Sequence, residues 1–538
     1  MRGTSKDVKD KSQGANRMRS LQILGLAAAT ASAGHLSVPV SRKAFGTNPH
    51  KTVKRQEKGG SITLAALNNI TGGGYYSEFE IGSPGQTISF QLDTGSSDTW
   101  MNSVESDLCQ SKGLQSFYGY CQSTFDPDES ETFDNVGEGD FDITYLDGRN
   151  IIGDYFEDTV TIGDANITGQ RLGLALESVR VTGIMGLGFG SNVAAESQYP
   201  TIIDNLVSQG LIDSPAFSLY LNDLESDEGN VLFGGVDTDK FIGELALLDL
   251  VPDVQAFNDD ITSFNVKISG FDVVDPDGER IVDLHDLDSY AILDSGSTIS
   301  LLPDRQVRAL WEEFGVVSME NLIAPLIDCK YGGGGGDDYI FEFRFGGKTI
   351  QVPMHEMVVD AFYDIQDDIM ADDELSEYFG DWEGVCMFGV GSTADFGFFT
   401  DKFTLLGDTF LRSAYVVYDL GNEQVGIAQA NLNSTSSSIV EIEKGDLPDV
   451  TGVSRQGDDD DSSSSPSSTG TSTGGSPSST GGASSTDTTA APGATETGSD
   501  GENSSGDGGD GDDDSLGSFV SVPGTLLMSL FGVALLAL

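Results

Sequence analysis

The run Ile88-Ser-Phe-Gln-Leu-Asp93-Thr94-Gly95-Ser96-Ser97-Asp98-Thr99-Trp100 carries an aspartate out of a β-branched and apolar strand into a turn of Asp, Thr, Gly and Ser. The chain repeats the pattern at Tyr290-Ala-Ile-Leu-Asp294-Ser295-Gly296-Ser297-Thr298. In each copy an apolar run ends on Asp, a hydroxyl residue follows, and Gly then permits a tight backbone. One copy alone is compatible with a structural cap at a strand end. Two copies in comparable halves predict a two-lobed enzyme to which each lobe contributes one carboxylate.

A second landmark repeats beyond each copy. Gly183-Ile184-Met185-Gly186-Leu187-Gly188 follows Asp93, and Leu405-Leu406-Gly407-Asp408 follows Asp294. Apolar-apolar-Gly at matching places predicts a backbone crossing that tolerates no side chain. Between Leu64 and Ala430 short alternating runs predominate (Tyr75–Ile81, Thr87–Leu92, Thr159–Ile162, Phe217–Leu221, Val231–Phe233, Tyr339–Phe345, Ala414–Tyr418), separated by Gly, Asp, Asn and Pro. Helical spacing is confined to Pro200–Gly210 and to Arg305–Glu313 after Pro303. The expected fold class is all-β in the main: two pseudo-twofold related lobes, residues 56–250 and 251–434, with a few short helices.

Facing each other across the pseudo-twofold axis, Asp93 and Asp294 would share one water and one proton. Two like charges that close do not both ionise cheaply. The ionised member takes a proton from the water as it attacks a peptide carbonyl, and the protonated member donates toward the carbonyl oxygen. Thr94 and Ser295 are placed to lock the two turns together, and Ser96 and Ser297 to orient the carboxylates. No Ser-His-Asp or Cys-His set competes with this reading. His35, His50, His285 and His355 form no spaced cluster with cysteine, so neither zinc nor another cofactor is expected.

Composition sets the working conditions. The 538 residues hold 86 acids and 28 bases, a formal net charge of −58. Residues 1–55 contain 11 of those bases and only Asp7 and Asp10 among the acids, which leaves 84 acids against 17 bases after Arg55. Such a surface excludes nucleic acid as a partner. Its self-repulsion is relieved where carboxylates protonate, which points to an acidic environment. Cys109, Cys121, Cys329 and Cys386 allow three connectivities, of which first-with-second and third-with-fourth is the simplest.

On DTGSSDTW from Asp93, DSGST from Asp294 and the IMGLG and LLGD segments, the chain resembles the pepsin family of aspartic endopeptidases from about Tyr75 to Ala430. The resemblance implies two β-rich lobes, a substrate cleft between them and a β-hairpin flap over the cleft. Phe141-Asp-Ile-Thr-Tyr145-Leu146-Asp147-Gly148 matches the flap, with Tyr145 as its tyrosine and Trp100 as that residue's partner. The family commonly has Gly after the tyrosine, where this chain has Leu146. Gly95, Gly296, Ser297 and Thr298 would line the cleft beside Tyr145 and Asp147. The second turn reads Asp-Ser-Gly-Ser where many members have Asp-Thr-Gly-Thr; hydroxyls are retained, so activity is expected. Bridges Cys109–Cys121 and Cys329–Cys386 fall where the family has disulfides. With both aspartates in one chain, a monomer acting on peptide or protein substrates is expected.

The flanks add a cellular address. Met18 to Ala33 has a basic start, an apolar core and an A-x-A ending, which reads as a secretory signal within residues 1–33, with Met18 as a second candidate start. Residues 34–55 are basic, show no apolar periodicity and end in Lys54-Arg55, as expected of a pro-segment cut by a processing protease and docked on the acidic enzyme. Residues 435–515 read as an acidic Ser/Thr/Gly-rich disordered stalk. Residues 516–538 are apolar with no basic stop, which favours a GPI signal, with Asn503 as attachment residue, over a membrane span. Asn69, Asn166 and Asn433 head sequons. This architecture is similar to fungal yapsin-type surface proteases, held to the membrane or wall by a lipid, which tend to cleave beside basic residues. Asp147 is the candidate for pairing substrate Lys or Arg before the scissile bond; an ordinary Asp-Gly hairpin turn is the plainer alternative. The acidic run Asp364–Glu383 and the Gly332–Gly336 loop look like insertions with solvated charge. The rival to an enzyme is a catalytically weak wall-binding protein on the same scaffold, which loss of an aspartate or of the flap tyrosine would mark.

Overall fold

A computed structural model describes residues 34–42 and 74–454, apart from 164, 227, 254–259, 285–286, 288, 320–323 and 373–374. The signal segment, Lys54-Arg55, Asn69, Asn503, the stretch after residue 454 and the apolar tail lie outside the described residues.

Period-two alternation produces strands throughout. Tyr75–Ile81 and Gln86–Asp93 pair antiparallel from Tyr76 opposite Gln91 to Ile81 opposite Gln86. The latter strand delivers Asp93 to its turn. Two long strands, Asn150–Ile162 and Ala165–Glu177, form the back of the first lobe, and Asp134–Thr144 adds the outer arm of the flap. These strands belong to a 13-stranded sheet that runs from the first lobe into a layer made by Ala216–Tyr220, Glu228–Phe233, Phe241–Asp249, Ala414–Asp419 and Gln424–Ala430. That layer joins the lobes: Val416 to Asp419 of the C-terminal part pair with Leu219 to Ala216 of the N-terminal part. The second lobe is built on a five-stranded and a four-stranded sheet with a three-stranded one beside them.

The repeat is visible in the topology. Gln86–Asp93 runs parallel to Gly183–Gly186, with Asp93 opposite Gly186, and Gly183–Gly186 pairs antiparallel with Thr99–Asn102. In the second lobe Ser289–Leu293 runs parallel to Phe403–Leu406, which pairs antiparallel with Ser300–Leu302. The two apolar-apolar-Gly segments are therefore equivalent strands beneath equivalent turns. A side chain at Gly186 would strike the Ser97 backbone, and one at Gly407 would strike the carbonyls of Ser297 and Ile299. The predicted crossing is real.

The two expected helices form as Ile202–Ser208 and Asp304–Phe314. Thr201 and Asp204 cap the first with a reciprocal box; Gly315, at φ 64°, ends the second by donating to Trp311 O. The acidic run is more structured than expected. Gln366–Met370 and Ser376–Phe379 are helices, and Ile365, Ile369, Leu375 and Phe379 are buried in a second-lobe core with Val359, Phe362 and Leu405. Asp367, Asp368, Asp381 and Glu383 are exposed while these apolar residues face in.

Two boundaries read differently in the structure. Within the basic segment 34–55, Leu36–Arg42 is a strand of the large sheet, paired with Glu228–Phe233 and touching Tyr75–Ile81 at Ser41 and Arg42. Val38 and Val40 are buried, so an apolar alternation is present there after all. Pro39, which has no N–H, is accommodated where the strand has a partner on one side only; its carbonyl accepts from Ser77 Oγ at 2.8 Å. The first part of the expected stalk, from residue 439 to residue 453, is also tied to the fold. Ile439–Glu441 pairs with Gly235–Asp237, Thr451 and Val453 bridge to Glu244 and Ile242, and Ile442 and Leu447 are buried.

Candidate active site

Strand ends place Asp93 and Asp294 on the floor of one cavity, which Gly95, Ser96, Gly296 and Ser297 also line. The local bonding is nearly twofold symmetric. Asp93 Oδ1 accepts from Gly95 N at 2.8 Å and Oδ2 from Ser96 Oγ at 2.5 Å. Asp294 Oδ1 accepts from Gly296 N at 2.8 Å and Oδ2 from Ser297 Oγ at 2.7 Å. Each carboxylate is thus oriented by its own turn. A side chain on Gly95 would run into the Asp294 carboxylate, and one on Gly296 into that of Asp93. Glycine is required here by the approach of the opposite lobe.

Behind the aspartates the turns are stitched to each other. Thr94 Oγ1 donates to Leu293 O and accepts from Ser295 N, at 2.8 and 2.9 Å. Reciprocally, Ser295 Oγ donates to Leu92 O at 2.8 Å and accepts from Thr94 N at 3.2 Å. All four bonds are buried and cross between lobes. Gln91 Nε2 adds a fifth, to Gly296 O at 2.9 Å, which the sequence pattern does not flag. Thr298 sits just outside this network, its carbonyl accepting from Thr409 N at 3.2 Å. Burial and the neighbouring Asp93 raise Asp294 to about 7, so the site retains a proton well above the ordinary carboxylate range.

The flap closes over this floor. Thr144 pairs with Asn150, Tyr145 N donates to Arg149 O, and Gly148 at φ 78° makes the turn. Tyr145 OH accepts from Trp100 Nε1 at 2.6 Å, as expected, and the pair packs with Phe141, Ile151, Ile184 and Tyr199. Leu146, in place of the commoner Gly, sits at the half-exposed tip and lines the cavity without disturbing the hairpin. Behind Trp100, the buried Asp98 accepts from Tyr155 OH, Tyr199 OH and Ala194 N at 2.9, 2.6 and 2.7 Å. It was legible only as one more acid in DTGSSDTW. Tyr145→Phe leaves the indole N–H without its acceptor and is expected to lower kcat/KM by about tenfold. Steady-state kinetics on one peptide checks this; an unchanged value would remove the bond from the account.

Asp147 is where the structure corrects the sequence reading. Its carboxylate is neither solvent-facing nor free for a substrate cation. Oδ1 accepts from Arg149 N at 2.9 Å, and Oδ2 lies 3.2 Å from Arg180 Nη2 and 3.3 Å from Arg149 Nε, with the side chain 3 % exposed. Arg180 lines the same cavity, and nothing in the residue pattern marks it. The cystines are Cys109–Cys121 and Cys329–Cys386. Asn166 and Asn433 are both exposed.

A model of the family described as eukaryotic aspartyl protease matches residues 74–430. The chain is 34 % identical over 387 residues to a protein of Aspergillus fumigatus named probable aspartic-type endopeptidase opsB, covering 71 % of this chain and 74 % of that one. It is 35 % identical over 370 residues to an acid protease of Saccharomycopsis fibuligera, covering 66 % and 80 %. Aspartic proteinase 3 of Saccharomyces cerevisiae matches at 27 % over 445 residues, covering 70 % and 72 %. With two glycine-bounded aspartates cross-braced at the floor of a cleft and a tyrosine flap above them, the chain belongs to the pepsin-like eukaryotic aspartyl proteases and is an aspartic endopeptidase.

Proposed function

We propose that this endopeptidase works outside the cell, in acid, on peptides and proteins, as a monomer held at the surface by its C-terminal tail. The observation that carries the acidic optimum is the proton kept at Asp294 up to about 7. While the pair holds one proton, Asp93 accepts a proton from the attacking water and Asp294 donates to the carbonyl oxygen; the roles reverse as the amine leaves. Rigidity of the floor supplies orientation, since every oxygen of the pair has a fixed donor. Substrate enters between this floor and the flap. Two cystines favour an oxidising compartment, and the leader, the Lys54-Arg55 site and the apolar tail agree with secretion, maturation and lipid anchoring. Selectivity for Lys or Arg before the scissile bond, the finer expectation, loses its stated basis because Asp147 is already neutralised by two arginines.

Expression of the full chain in a fungal host tests this reading. Surface activity at about pH 4 should be released by a phosphatidylinositol-specific phospholipase and appear in the medium when residues 516–538 are deleted. Activity confined to the cytosol would overturn the address, and activity persisting in Asp93→Asn would overturn the chemistry.

A further inference from the structure

The flap side of the cleft carries a charge that the mechanism does not use. Asp147, Arg149 and Arg180 form one cluster, with side chains 3 %, 8 % and 14 % exposed. One carboxylate serves two guanidiniums, so one positive charge remains over. The crowding is felt within the cluster: burial and the Arg180 charge bring Arg149 down to about 10. Asp147 and Arg180 both line the cavity, with Tyr145, Leu146, Ile184 and the two catalytic aspartates, while Arg149 backs them from behind; Arg180 is the cation that meets it. Its guanidinium carbon sits 4.9 Å from the centre of the Tyr145 ring, and its buried Nε has no hydrogen-bond acceptor among the described residues.

We propose that Arg180 sets the charge preference of the subsite beneath the flap, which accepts an acidic or neutral substrate side chain and turns away lysine and arginine. A substrate cation entering there would either join two arginines around one carboxylate or displace Arg180 from Asp147. The first is like-charge crowding in a partly desolvated site, and the second breaks an internal ion pair. A substrate carboxylate meets the reverse situation, a guanidinium whose Nε has no acceptor among the described residues and which shares its paired carboxylate with Arg149. Specificity here comes as much from rejection as from attraction. The inference rests on the endopeptidase reading of the same cleft, so its test carries a neutral substrate that reports that reading separately.

Three fluorogenic peptides identical except for Glu, Leu or Lys before the scissile bond are compared with purified full-length protein at about pH 5.5, where a free glutamate is ionised. The wild type is expected to show a kcat/KM at least about tenfold higher for Glu than for Lys. Arg180→Met should lower that ratio at least about tenfold by leaving the cluster neutral, and Asp147→Asn should raise it by removing the carboxylate that Arg180 shares with Arg149. Arg180→Lys, which keeps the charge, should hold the ratio above one. Should Arg180→Met fail to fold, Asp147→Asn and Arg180→Lys decide between the outcomes. A wild type that prefers lysine, or a ratio that none of the variants moves, overturns the role of Arg180 while cleavage of the leucine peptide stands. Loss of leucine cleavage in the wild type itself would overturn the endopeptidase reading and this inference with it.

Discussion

Asp93→Asn and Asp294→Asn are each expected to lower kcat/KM by about 10⁴-fold or more, with the fold intact. Asparagine keeps an oxygen for the Gly95 or Gly296 N–H, so the turn geometry survives while the proton exchange between the two groups does not. The stability effect of Asp294→Asn should have the opposite sign. The carboxyl of Asp294 is raised by burial and by Asp93 to about 7, above its value of about 3.9 in an unfolded chain. The folded state therefore keeps a proton that the unfolded state gives up. The stability this group contributes is fully present below about pH 4 and is lost as pH rises through about 7. Thermal midpoints of the wild type should fall across that window. Asp294→Asn should flatten the fall and be the more stable protein at neutral pH. Repulsion among the many surface acids adds its own decline with pH, but it is common to both proteins and cancels in the difference. Wild-type activity should persist through most of that window and disappear as pH rises through about 7, where the pair loses its one proton and has nothing to donate. An asparagine variant with wild-type turnover, or with an unchanged stability profile, would contradict this account.

How much of this was legible in sequence depends on how far apart the interacting residues lie. Asp93, Thr94, Gly95 and Ser96 act through bonds within one turn or between two copies of that turn, so a repeated motif reveals them. Tyr145 and Trp100 were found through the family pattern. Arg180 pairs with the flap's Asp147 from another strand connection that carries no motif, and only the folded chain brings them together. Gln91 reaches Gly296 across the lobes in the same unannounced way. Elsewhere charge concealed apolar order. The lysines and arginines around Leu36–Arg42 drew attention from the alternation of Leu36, Val38 and Val40, and the acids of 364–383 from Ile365 and Ile369, which share a helical face. A charged run says what faces water and leaves open what lies beneath it.

The largest loss of stability is expected from Arg412→Met. Arg412 follows the short helix Asp408–Leu411, directly after the Gly407 crossing behind Asp294. Its side chain is 2 % exposed, and it donates through Nε to the Glu356 carboxylate and through Nη2 to the Glu356 carbonyl. Glu356, fully buried, also accepts from Leu224 N at 2.9 Å, in the connection that follows Ala216–Tyr220. One ion pair thus fastens the floor of the second lobe to the layer that joins the lobes. Burial works against the guanidinium charge, and Glu356 outweighs it, holding Arg412 charged. Removing the arginine leaves the buried Glu356 carboxylate with only the half-exposed His355, whose Nε2 lies 3.7 Å away and is a counter-ion only when protonated, at a cost of about 3–5 kcal/mol. Because that carboxylate would then favour its protonated form, the variant should recover stability as the pH falls from about 7 to about 4. Urea midpoints at the two pH values measure the recovery. The double variant Arg412→Met/Glu356→Leu should regain most of the loss at pH 7, because what destabilises the single variant is the stranded charge and an apolar pair strands none. A single variant within about 1 kcal/mol of the wild type would show that the interface between the lobes does not depend on this pair.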